Sequence, residues 1–149
     1  MPGLDDLYRE IILDHYRSPR NRGELPPPAA HAVGHNPLCG DEIEVYLQVD
    51  DGIVTDVKVG GQGCSISQSS ASMMTQAVKG KPVDQVKAIT RRFKGMMSVD
   101  DDPQNPAQPT DADISLGDLA ALEGVAKFPV RIKCATLSWN TLLDALRQT

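Results

Sequence analysis

The chain has 149 residues and a formal net charge of −5, with 40% hydrophobic, 23% charged and only 4% aromatic residues. This is one domain's length of chain with a core built from aliphatic side chains, and its acidic balance argues against nucleic acid as the main partner, because phosphate binding needs a basic face. It contains no apolar run of about 18 residues, so no membrane span is expected. The start, MPGLDDLYRE, has neither the basic region nor the apolar stretch of a secretion signal, which predicts a cytoplasmic protein.

In chain order, Leu4, Leu7, Tyr8, Ile11, Ile12 and His15 recur at helical spacing and predict an amphipathic helix over 4–16. Asp5 and Asp6 suit its positive end, and Pro19 stops it. RSPRNRGELPPPAA reads as an irregular linker, with a short strand near HAVGH. Ile43, Val45, Leu47 and Val49 then alternate with Glu42, Glu44, Tyr46 and Gln48, which predicts a strand buried on one face. DDG at 50–52 is a turn signal, and strict alternation puts Ile53, Thr55, Val57 and Val59 on one face of the next strand.

GGQGCS breaks that strand, its glycines permitting an unusual backbone path that ends at Cys64, just before a helix. Ile66, Met73, Met74, Ala77 and Val78 give that helix an apolar stripe, and the serines from Ser65 to Ser72 give it a small-residue packing surface. Gly80 and Pro82 end it. Residues 83–97 predict a further helix carrying the basic RRFK, and SVDDDPQNPAQPTDAD a surface loop. LGDLAALEGV predicts a short helix, and FPVRIKCATLSWNTLLDALRQT a proline-started terminal helix with Ala135, Trp139, Leu142, Leu143 and Leu146 on one stripe. Strands followed by helices indicate an α+β fold, a small antiparallel sheet of about three strands with helices on one face.

Three cysteines, Cys39, Cys64 and Cys134, make a poor disulfide framework in a chain without a signal peptide. A lone cysteine is more often a small buried hydrophobe than a ligand. Here each lies beside glycine, proline or a helix start, and helix amino termini favour thiolates. Asp41, two residues after Cys39, adds a hard oxygen; its alternative role is to cap a turn. Three thiolates and a carboxylate suit a tetrahedral divalent metal, zinc above all, with the carboxylate the more replaceable ligand. His31 and His35 are weaker candidates for a fourth ligand, and His15 fits the core. Arg131 and Lys133 flank Cys134, either as a solvated helix start or to offset negative charge on the site. The serine run lacks G-x-S-x-G or S-x-x-K, so a serine nucleophile is not expected, and no Cys–His–acid set supports a cysteine hydrolase.

LYREIILDHYRSPRNRG, NPLCGD, GQGCSISQSSASMM, VKGK and RIKCATLSW resemble successive blocks of the U-type iron–sulfur assembly family, that is IscU, SufU and the NifU N-terminal domain. The resemblance covers nearly the whole chain. It is to the SufU branch in particular. Lys133 stands where IscU proteins have histidine, FPVRIK replaces their chaperone-binding L-P-P-V-K, and the stretch around 94–113 resembles the SufU insertion.

The resemblance implies an IscU-like fold, one domain over 1–149 with a surface segment inserted around 94–113, and zinc held by Cys39, Asp41, Cys64 and Cys134. It implies sulfur transfer from a SufS-type cysteine desulfurase, which forms a persulfide with pyridoxal phosphate, toward a downstream SufB-containing assembly complex. Cys39, in an exposed glycine-flanked turn, is the expected persulfide acceptor. Asp41 is expected to loosen or swap ligands, and Arg131 to steer the partner or the persulfide. Two other readings stay open: a scaffold for a transient [2Fe–2S] cluster on the same residues, and a structural zinc module that binds another protein.

Overall fold

A computed structural model describes residues 4–37, 40–99 and 114–149, with side chains from Asp6 onward. Cys39 and most of the stretch read as an insertion, 100–113, lie outside the described residues, as do the side chains of Leu4 and Asp5.

The predicted first helix is α1, Leu4–Arg17. Tyr8, Ile11 and Ile12 pack against the core, while Leu7, toward the helix's outer end, is 56% exposed. Three antiparallel strands follow in the order β1 (Ala30–Asn36), β2 (Asp41–Asp50) and β3 (Ile53–Gln62). Asp51 and Gly52 close the β2–β3 hairpin with φ of 52° and 75°. Positive φ at both central residues is the mark of a type I′ turn, whose twist matches that of paired strands. The linker also gains order, because Gly23 N–H donates to Val59 O at 3.0 Å and Val59 N–H to Asn21 O at 3.0 Å, laying it along the edge of β3.

β2 alternates as its sequence predicts, with Ile43, Val45 and Leu47 fully buried. β3 does not. Gln48 pairs with Asp56 but Val49 pairs with Val54, so Thr55 is an extra residue opposite the β2 ladder. The bulge reverses the alternation: Val54 is fully buried and Ile53 is 40% exposed. Thr55 turns outward, and its hydroxyl donates to Asp50 Oδ2 at 3.0 Å.

The inner face of the sheet is covered by α2 (Ser65–Val78) and α4 (Pro129–Leu146). α4 approaches β1 so closely that a Cβ at Gly34 would collide with Thr141. α3 (Val83–Met96) joins through Phe93, whose ring stacks on Trp139 at 4.9 Å between centroids. The predicted short helix is an eleven-residue 3₁₀ helix, Gly117–Lys127.

Ser69, Ser70 and Ser72 of α2 pack as the small-residue reading expects, their hydroxyls meeting neighbouring elements. Ser69 Oγ donates to Ile12 O at 2.8 Å, Ser70 Oγ to Ala135 O at 2.5 Å, and Trp139 Nε1 donates to Ser70 Oγ at 3.2 Å. His15 is a core residue, with Nδ1 2.8 Å from Ser72 Oγ and Nε2 3.0 Å from Asp118 Oδ2. Among the described residues no helix is long and apolar enough to cross a membrane.

Candidate metal centre

The site forms at one end of the sheet. β1 ends at Asn36 and β2 begins at Asp41, and these two pair in register. β3 ends beside them, Gln62 facing Glu42. The chain must then turn sharply from β3 into α2, and two glycines allow it. Gly61 has φ of 106° and lies flat on the Glu42 backbone; a Cβ at Gly63 would enter the Asp41 carboxylate. The turn delivers Cys64 as the N-cap of α2, its Sγ accepting Ser67 N–H at 3.5 Å.

Asp41 is held from the same turn. Its Oδ1 accepts Cys64 N–H at 2.9 Å, and its Oδ2 lies 3.9 Å from Cys64 Sγ. α4 brings Cys134, fully buried, with Asn36 Nδ2 donating to its sulfur at 3.8 Å. One ligand atom each from Asp41, Cys64 and Cys134 lie within 4.8 Å of one another. The negative charge of Cys64 first, then of Cys134, holds the pKa of Arg131, one turn before Cys134, above the ordinary arginine range.

The helix-terminus argument applies to one of these two thiols. Cys64 caps a helix, but Cys134 lies in the second turn of α4, where its thiol donates to Val130 O at 3.9 Å. Cys39 lies outside the described residues, next to Gly40 and Asp41. His31 stacks on Tyr46 at 4.3 Å, and His35, like His31, is an exposed β1 residue paired across to β2. Neither belongs to the described ligand group, and Lys133 is exposed.

The donor set fits a divalent soft-to-borderline cation. A tetrahedral ion at about 2.3 Å from sulfur and about 2.0 Å from oxygen separates its donors by roughly 3.5–3.8 Å, close to the Cys64–Asp41 spacing. The carboxylate is 2% exposed and accepts one backbone N–H, and burying such a group calls for a charge partner. Asn36 is the buried neighbour of the site that pattern reading passed over; its signal in the sequence was an asparagine immediately before the proline of NPLCGD. Beside the site lies a cleft of about 850 Å³ lined by Tyr8, Ile12, Ile66, Val125, Phe128 and Arg131.

Comparison with known proteins agrees with this architecture. The family model for the NifU-like N terminal domain matches residues 7–135. The zinc-dependent sulfurtransferase SufU of Bacillus subtilis is 48% identical over 139 residues, covering 93% of this chain and 88% of the relative. The iron–sulfur cluster assembly scaffold protein IscU of Streptococcus pyogenes is 39% identical over 98% of this chain and 86% of its own length. Among solved structures, an iron–sulfur cluster assembly scaffold protein for the SUF system from Fervidobacterium islandicum superposes with a TM-score of 0.79 at 29% identity, covering 97% of this chain and 99% of that one.

Proposed function

Because the chain belongs to the NifU-like N-terminal domain family, we propose that it serves iron–sulfur cluster biogenesis as a zinc-dependent sulfurtransferase, taking sulfur from a SufS-type cysteine desulfurase. The observation that carries this reading is the convergence of Asp41, Cys64 and Cys134 from three separate elements within 4.8 Å. The 48% identity to a zinc-dependent sulfurtransferase supports the same activity. Cys39, adjacent to the group in sequence, completes the proposed ligand set. The single domain over 1–149, its insertion around 94–113 and a cytoplasmic location belong to the same proposal.

When bound, zinc keeps the coordinated sulfurs as thiolates at neutral pH without offering them a redox partner. The Cys39 thiolate attacks the outer sulfur of the desulfurase persulfide. A new S–S bond forms on Cys39, the donor's S–S bond breaks, and its electron pair leaves with the desulfurase cysteine as thiolate. There is no net oxidation. Asp41, the one oxygen donor in the proposed set, would be the more replaceable of the four residues holding the ion. Arg131, a cation already set against the sulfurs, neutralises the extra negative charge brought by an incoming persulfide. The cleft beside Arg131 gives the desulfurase segment an approach, and a SufB-containing complex takes the sulfur onward.

A scaffold that builds a [2Fe–2S] cluster on the same residues is the second reading, favoured by the similarity to IscU proteins named as scaffolds. Metal analysis with desulfurase turnover separates them. The sulfurtransferase reading expects about one zinc per chain in a colourless aerobic preparation, and faster desulfurase turnover when the chain is added. A brown, iron-containing preparation that leaves turnover unchanged supports the scaffold instead.

A further inference from the structure

We infer that Asn36 is a positioning residue that divides labour among the sulfurs: its amide holds Cys134 as the retained ligand and keeps that sulfur out of sulfur exchange. The inference rests on the metal-site reading above, and it concerns which thiol reacts. Asn36 is buried, and its Nδ2 donates to Cys134 Sγ at 3.8 Å. Its place is set by the backbone, since it pairs with Asp41 at the end of the sheet. It therefore ties the end of β1, shortly before Cys39 in the sequence, to the helix that carries Cys134.

A hydrogen bond to a metal-bound thiolate draws electron density from sulfur and lowers its nucleophilicity, as outer ligands tune metal centres generally. Cys134 receives this bond in a fully buried setting. Cys64 is only partly buried, and its sulfur is met by Ser67 at the start of the helix. The two described sulfurs are thus unequal. Cys134 is enclosed and carries a carboxamide donor, so it anchors the ion while another thiol does the exchange.

The test uses the zinc-loaded full chain without any desulfurase, so its outcome is independent of whether sulfur transfer occurs. Native protein is treated with iodoacetamide for increasing times, and each cysteine is followed by peptide mass spectrometry. In the wild type, Cys134 is expected to be alkylated more slowly than Cys64 and Cys39. Asn36→Asp keeps the side-chain shape and removes the N–H donor; Asn36→Ala removes both. At equal zinc content, either is expected to raise the Cys134 rate relative to Cys64 by about tenfold. In cobalt-substituted protein, both substitutions are expected to move the sulfur-to-metal charge-transfer band to longer wavelength. Simple loosening of access leaves that band in place.

Wild-type Cys134 reacting as fast as Cys64 overturns the inference, whether or not the variants fold. So does an unmoved band in variants that load cobalt.

Discussion

Asp41 uses its two oxygens differently. Oδ1 fixes the Cys64 backbone at 2.9 Å, and Oδ2 lies 3.9 Å from the Cys64 sulfur. Asp41→Asn keeps an acceptor for the backbone N–H but loses the ligand charge. It is expected to leave the fold intact and weaken zinc binding by at least about tenfold, read by competition against a chelating dye. Gly63 matters through what it lacks. In Gly63→Ala the added methyl meets the Asp41 carboxylate, and we expect a loss of about 1–3 kcal/mol in denaturant unfolding together with reduced zinc content. Arg131 separates affinity from reactivity. In the proposed role its cation offsets the charge of the sulfurs and is not a metal ligand, so Arg131→Ala is expected to keep its zinc while stimulation of a SufS-type desulfurase falls about tenfold.

At the scale of elements, β3 shows where periodicity misleads. Ile53, Thr55, Val57 and Val59 read as one face, yet the bulge at Thr55 sends Ile53 outward and brings Val54 into the core. Alternation carries no signal for a single unpaired residue, because a bulge is settled by pairing with the neighbouring strand. Val54→Ala should therefore cost about 2 kcal/mol in urea unfolding, and Ile53→Ser should stay within about 0.5 kcal/mol. Uninterrupted alternation predicts the reverse order. α2 was more legible, since a run of serines without a catalytic motif suits close packing, and the hydroxyls of Ser69 and Ser70 do bond to α1 and α4. His15 joins α1 to α2 and to the 3₁₀ helix through Ser72 and Asp118. His15→Ala leaves both partners without their bond and should cost about 1–3 kcal/mol in the same assay.

Across the whole molecule, the α+β class and the three-stranded sheet followed from element order, because each strand and helix carried its own period and stop signals. Convergence at the site did not. Cys64 and Cys134 are 70 residues apart in the numbering. They meet because β2 starts and β3 ends at the same end of the sheet, while α4 crosses it; nothing local in the sequence encodes that. Residue chemistry and the family resemblance both pointed to Cys39, Asp41, Cys64 and Cys134 as candidate ligands, but the burial of Cys134 in the second turn of α4 and the Asn36 amide on its sulfur are visible only in three dimensions.

The most direct measurement mixes the zinc-loaded chain with a SufS-type cysteine desulfurase and cysteine, traps persulfides by alkylation and maps them by mass spectrometry. Sulfur added to Cys39, with Cys134 unlabelled, is the predicted result; label on Cys134 alone contradicts it.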